Sequence, residues 1–202
     1  MSHKKINLRK QPTQERSRLM IEDILEAANL VLQKEGLSAF NTNRVAETAG
    51  VSIGSLYQYF PNKESLLFQL QEQETKTTWK ALDLIFSDVS RSPRQRLESA
   101  IYSFFESEAE EFFLRCGLND AEVDYEKTRE YQELENIVIQ KLSDFLSEIL
   151  PSNSSDIESK SLLIFIVITS IGERVTQKQV DTETLQMWSK MCSDLLCDYL
   201  KI

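Results

Sequence analysis

Five glycines and four prolines are all that punctuate these 202 residues, and between them run long helix-favouring stretches. A sheet sandwich or barrel needs a turn signal about every 8–12 residues, so this spacing predicts an all-α chain. Apolar positions three and four apart define its segments. The first runs from Thr13 to Lys34, with Ile21, Ile24, Leu25, Ala28, Val31 and Leu32 on one face. Pro12 and Thr13 offer its start, and Gly36 stands where a left-handed stop is wanted.

A short apolar link, Leu37–Phe40, leads to the cap candidates Asn41 and Thr42. Val45, Ala46 and Ala49 then form a small apolar face that Gly50 ends. A third helix follows almost at once, capped by Ser52, with Leu56 and Phe60 inward. Pro61 breaks the chain, Asn62 caps again, and a longer pattern starts at Lys63 and reaches Val89. Two short helices meeting through a glycine-containing turn read as a helix-turn-helix. Beyond it, Arg94–Glu111, Ala121–Leu150, Asp156–Thr176 and Thr182–Lys201 read as helices, with a weak stretch at Cys116–Asp120 and a loop at Pro151–Ser155.

The run Thr42-Asn43-Arg44-Val45-Ala46-Glu47-Thr48-Ala49-Gly50-Val51-Ser52-Ile53-Gly54-Ser55-Leu56-Tyr57-Gln58-Tyr59-Phe60-Pro61-Asn62-Lys63-Glu64 strongly resembles the DNA-binding head of the TetR family of repressors. The resemblance extends over about Pro12 to Leu70, giving a helix-turn-helix domain at 12–70 and a larger helical domain at 71–202. It implies a transcriptional regulator, mostly a repressor in that family, that binds a pseudo-palindromic operator as a homodimer. It also implies release by a small-molecule effector.

Physical chemistry assigns roles within the matched run. Thr42 caps the second helix, whose N-terminus suits a phosphate oxygen, and Arg44 reaches backbone or base from its first turn. The third helix is the groove-reading one, with Ser52, Ile53, Gly54 and Ser55 at base edges. Gly54 permits close approach, Ile53 suits a thymine methyl, and Gln58 suits adenine or a phosphate. The hydroxyls of Tyr57 and Tyr59, with Lys63, are placed for phosphates.

The net charge of −9 is unevenly spread. Lys4, Lys5, Arg9, Lys10, Arg16 and Arg18 face one acid, Glu15, in the first twenty residues, whereas 106–135 is crowded with carboxylates. The basic end has two readings, a polyanion contact or a disordered solubilising tail. Salt screens over about 8–10 Å, so a distant acidic body does little to oppose DNA binding.

Chemistry of other classes has little to stand on. The one histidine, His3, lies at the start of the chain, so neither a histidine base nor a histidine metal cluster is expected. No glycine-rich phosphate loop is present, the acidic clusters lack a calcium-loop spacing, and no enzyme, cofactor or metal is expected. Cys116, Cys192 and Cys197, an odd number without paired spacing, read as buried thiols in a reducing compartment. No signal peptide is evident, and the most apolar segment, Ser161–Ile171, is half of the roughly 20 residues a membrane crossing needs. A cytoplasmic protein is expected.

Within the C-terminal domain, Leu162, Leu163, Phe165, Ile166, Ile168 and Ile171 leave their helix apolar nearly all round. Leu185, Trp188, Met191, Leu195, Leu196 and Tyr199 do the same for the last, and the resemblance makes these two helices the dimer contact. Trp79, Phe86, Tyr102, Phe105 and Phe145 are candidates for an apolar or aromatic effector pocket, against the plainer reading as core. A head that docks another protein rather than DNA is the second functional reading.

Overall fold

The computed structural model describes residues 6–10, 14–121, 123, 125, 127–151 and 156–202. Among these are nine helices and no strand: α1 (Glu15–Glu35), α2 (Thr42–Thr48), α3 (Ile53–Tyr59), α4 (Lys63–Ser87), α5 (Pro93–Glu110), α6 (Phe112–Asp120), α7 (Arg129–Ile149), α8 (Ile157–Val175) and α9 (Thr182–Leu200). The all-α class follows. The expected start at Pro12–Thr13, the acids Glu122, Asp124 and Glu126, and the Ser152–Ser155 loop lie outside the described residues.

Two compact units are formed. The first comprises residues up to Gln73 together with Phe113–Thr128, and the second Glu74–Phe112 together with Arg129–Ile202. The contiguous 12–70 and 71–202 division thus leaves out a later segment that packs with the first unit. That segment includes Cys116–Asp120, read from sequence as a weak stretch because of its glycine. It is instead the body of α6, since a Cβ on Gly117 would stand 2.8 Å from Leu37 Cδ1 and 2.9 Å from Leu67 Cδ1. A close approach outweighs the helix propensity that glycine loses, about 1 kcal/mol.

Residues after α6 also depart from expectation. Helix α7 begins at Arg129 rather than Ala121. Before it, Ala121, Val123 and Tyr125 are buried, and Tyr125 meets Phe68 edge-on at 5.4 Å. Thr128 closes a turn there, its N–H and hydroxyl both donating to Tyr125 O at 3.0 and 2.7 Å.

Helix ends follow local chemistry. Gly36 stops α1 at φ 74°, its N–H donating to Leu32 O at 3.0 Å. Gly50 (φ 66°) ends α2 in a Schellman arrangement: its N–H donates to Glu47 O at 3.2 Å, and Val51 N–H donates to Ala46 O at 3.0 Å. Ser92 and Gln95 form a reciprocal capping box on α5.

In the second unit Arg96 is 1% exposed. Its guanidinium donates to Phe86 O at 2.8 Å and to Glu148 Oε2 at 3.0 Å, and stands 5.0 Å over the Phe145 ring. That hydrogen bonding holds the Glu148 carboxyl below its ordinary range. Gly172 lets α8 approach Phe104, whose Cε1 would lie 2.8 Å from an added Cβ. Cys192 and Cys197 are buried on α9, and desolvation pushes the Cys192 thiol up to about 11. Cys116 is half-buried. No helix among the described residues is long and apolar enough to cross a membrane.

Candidate nucleic-acid interface

Why α3 presents a surface begins with its core face. Leu56 and Phe60 are fully buried and Tyr59 is 7% exposed, the i, i+3, i+4 stripe that fixes the helix to the first unit. Burying each such side chain contributes about 1.5–3 kcal/mol. Tyr59 therefore belongs to the core. Its expected place at a phosphate is corrected, because its position in the stripe turns the ring inward.

The opposite face is open. Ser52, Ile53, Gly54, Tyr57 and Gln58 are exposed, Ser55 is half-buried, and Lys63 stands exposed at the first turn of α4. Ser52 caps α3, its Oγ accepting from Ser55 N–H at 3.0 Å, and the two hydroxyls lie 2.8 Å apart. Asn62 accepts from Ser65 N–H at 2.8 Å and so caps the start of α4. Gly54 is unusual here. A Cβ built on it meets nothing nearer than Ser52 Oγ at 3.8 Å, so nothing within the chain requires glycine there.

Helix α2 braces this face. Its cap is Asn41, whose Oδ1 accepts from Arg44 N–H at 2.9 Å, and not Thr42. Thr42 is the first helical residue, and its freed hydroxyl shares a 3.0 Å hydrogen bond with the Tyr57 hydroxyl. That contact orients Tyr57, which sequence spacing could not predict across fifteen residues.

Arg44 is less free than its sequence role assumes. Its Nε donates to both oxygens of Glu35 at 3.0 Å, its Nη2 to Glu35 Oε1 at 2.6 Å, and its Nη1 to Glu47 Oε2 at 2.9 Å. The guanidinium holds the Glu35 carboxyl below its ordinary range, chiefly through these hydrogen bonds. Arg44 thus ties α2 to the end of α1. Arg9 N–H, from the basic arm, donates to Tyr59 O at 2.8 Å and brings that arm to the end of α3. Neither link had a sequence signal, since each depends on partners from another segment.

Residues 24–70 match the profile described as bacterial regulatory proteins, tetR family. The head is thus similar to that of tetR-family regulatory proteins. Over 77 residues the chain is 31% identical to the nucleoid occlusion factor SlmA of Haemophilus ducreyi, a match covering 38% of this chain and 37% of that protein. The chain therefore matches little more than a third of that relative's length. The fold of a TetR-family transcriptional regulator from Pectobacterium atrosepticum superposes with a TM-score of 0.74 at 14% identity, covering 93% of this chain and 97% of that one. The fatty acid degradation regulator FadR from Bacillus halodurans superposes at 0.64 with 18% identity, covering 93% and 96%. At such identity these two establish the fold alone, and a tetR-type head on an all-helical body is that fold.

The second unit contains a small apolar cavity of about 20 Å³. Its walls are Trp79, Leu82 and Phe86 of α4, Ala100 and Phe104 of α5, Val138 and Leu142 of α7, and Phe165, Ile168 and Thr169 of α8. Trp79 and Phe86 were among the sequence candidates. The other three lie elsewhere: Phe105 and Phe145 are fully or nearly fully buried core, and the Tyr102 hydroxyl donates to Glu106 at 3.3 Å. Phe104 and Phe165 take their places, Phe104 stacked on Trp79 at 6.0 Å. Neighbouring phenylalanines at 104 and 105 point to different sides of one helix, which composition cannot resolve.

Proposed function

We propose that the chain is a transcriptional repressor that binds a pseudo-palindromic operator as a homodimer and is released by a small-molecule effector. The observation carrying the DNA reading is Gly54. It occupies the first turn of an exposed helix with free space around its missing side chain, so the chain bears a helix-propensity cost that its own packing does not demand. A groove-inserted helix explains the cost, because a base edge or phosphate would fill that space. Ser52, Ile53, Ser55 and Gln58 would then supply base-edge contacts, and Tyr57 and Lys63 phosphate contacts. Arg44 acts in this reading as a brace for α2, with Thr42 fixing the Tyr57 hydroxyl.

Dimerisation is supported by α8 and α9. Leu162, Leu163 and Ile166 are 43–48% exposed, and Met187, Trp188, Met191, Leu195 and Tyr199 are 40–59% exposed. On α9, residues 187, 191, 195 and 199 recur every fourth position, one continuous apolar stripe with Trp188 beside it. A patch of this kind on two helices fits a second copy and a twofold axis. An effector is assigned to the apolar cavity. At its present volume it admits only a water-sized body, so an occupant must part its walls, three of which belong to α4.

Selection of bound duplexes from a random pool tests the reading. Recovery of a pseudo-palindrome with half-sites about one helical turn apart is expected. Binding to no sequence above background, with retained capture of a protein partner, would favour the docking alternative.

A further inference from the structure

Residues 6–10 of the basic arm are laid on the head rather than held away from it. Ile6 and Leu8 are half-buried, whereas Asn7, Arg9 and Lys10 are exposed, the alternation of an extended segment with one side covered. Arg9 N–H donates to Tyr59 O at 2.8 Å. The last carbonyls of a helix have no partner within it, so this bond caps α3 at the end away from Ser52. Any residue with a backbone N–H could supply that cap, which leaves the cationic side chains unexplained.

Two duties within the chain can be set aside. Arg44 is neutralised by Glu35 at 2.6 Å and Glu47 at 2.9 Å, and Arg18 stands 4.0 Å from Glu15. No ion pair among the described residues takes up Arg9 or Lys10. Solubility gives no reason either. Repulsion between copies grows with the magnitude of net charge, and cations on a chain of net charge −9 reduce that magnitude.

We propose that Arg9 and Lys10 bind phosphates of the DNA backbone flanking each half-site, held there by the arm's bond to the end of α3. The proposal rests on the DNA reading above and lengthens its footprint. Helix α3 has seven residues, so its last carbonyl lies about 9 Å along the axis from Ile53. The major groove is about 12 Å wide, so cations carried at that end meet the phosphates bordering the groove rather than its base edges. Such contacts fix the register of the head without reading sequence.

Arg9→Gln with Lys10→Gln, in the full chain, removes both charges and keeps the Arg9 N–H. Arg129→Gln with Lys178→Gln, both exposed in the second unit, is the charge-matched control. With duplexes selected from a random pool, the arm variant should lower the slope of log K against log salt by about 1.8 for each bound head. The control should leave the slope unchanged, and the selected sequence should be the same for all three chains. Hydroxyl-radical footprinting of the unmodified chain should show sugars protected outside each half-site, a readout that stands whether or not a variant folds. That outer protection should vanish in the arm variant and persist in the control. The proposal is overturned if the unmodified chain protects nothing outside the half-sites, if the arm variant keeps the full slope, or if the control lowers the slope equally. A change in the selected flanking bases would also overturn it, by placing the arm at base edges. If the unmodified chain binds no duplex, the DNA reading falls and the arm contact with it; retained binding at an unchanged slope removes the arm contact alone.

Discussion

At Gly54 the first turn of α3 has room for a methyl group that the chain does not place there. Gly54→Ala should therefore leave the thermal midpoint unchanged or raise stability by about 0.5–1 kcal/mol, while DNA affinity measured by anisotropy falls. Lower stability with unchanged affinity would locate the glycine's role inside the fold. Two exposed neighbours should separate by kind. Gln58→Ala should cost about 1–3 kcal/mol at one base position and relax the preference there. Lys63→Ala should weaken all sequences alike and reduce the slope of log K against log salt by about 0.9. The outward positions of α3 were legible from sequence because the inward ones, Leu56 and Phe60, set the helical phase. Tyr59 was not, because a tyrosine suits both a core stripe and a wet surface, and only its place beside Phe60 decides between them. Nor was the Thr42 hydroxyl, whose partner Tyr57 comes from the next helix.

Among the helices, glycine position carries different consequences. Gly117→Ala would press a methyl group onto Leu37 and Leu67, and a loss of about 1–3 kcal/mol is expected in denaturant unfolding. An unchanged midpoint would mean that those leucines move aside at little cost. The Arg96–Glu148 pair ties α5 to α7 and, through Phe86 O, to the end of α4. Glu148→Ala strands a buried guanidinium and should destabilise by about 3 kcal/mol, the low end for such a loss because half of the Glu148 side chain meets water. Arg96 holds the Glu148 carboxyl below its ordinary value, so the folded state favours the ionised form. The stability it lends is complete above the ordinary carboxylate pKa and is lost as pH falls through the depressed one. Thermal midpoints at pH 7 and pH 3 should thus differ less in Glu148→Ala than in the unmodified chain. Helices α1, α4, α8 and α9 were readable from periodicity, whereas α6 was hidden by a glycine whose reason lies in Leu37 and Leu67.

For the assembled molecule, the exposed stripe of α9 is the test of association. Trp188→Glu with Leu195→Glu should shift sedimentation from dimer to monomer and leave helicity unchanged, since both side chains are exposed in the single chain. Operator affinity should fall steeply with it, because two half-sites bound through one dimer gain from linkage that separate heads lack. A variant that remains dimeric would move the contact away from these helices.

Periodicity and punctuation by themselves determined the all-α class, the bounds of most helices and the outward face of α3 opposite the buried Leu56 and Phe60. Those are local properties: a repeat of 3.6 residues, a cap, a glycine at positive φ. Tertiary structure alone decided that Arg44 braces α1 rather than standing free, and that α6 packs with the head. It also selected Phe104 and Phe165, rather than Phe105 and Phe145, to wall the cavity. Each of those depends on a partner distant in sequence, and a sequence pattern records which face of a helix is apolar without recording what that face will meet.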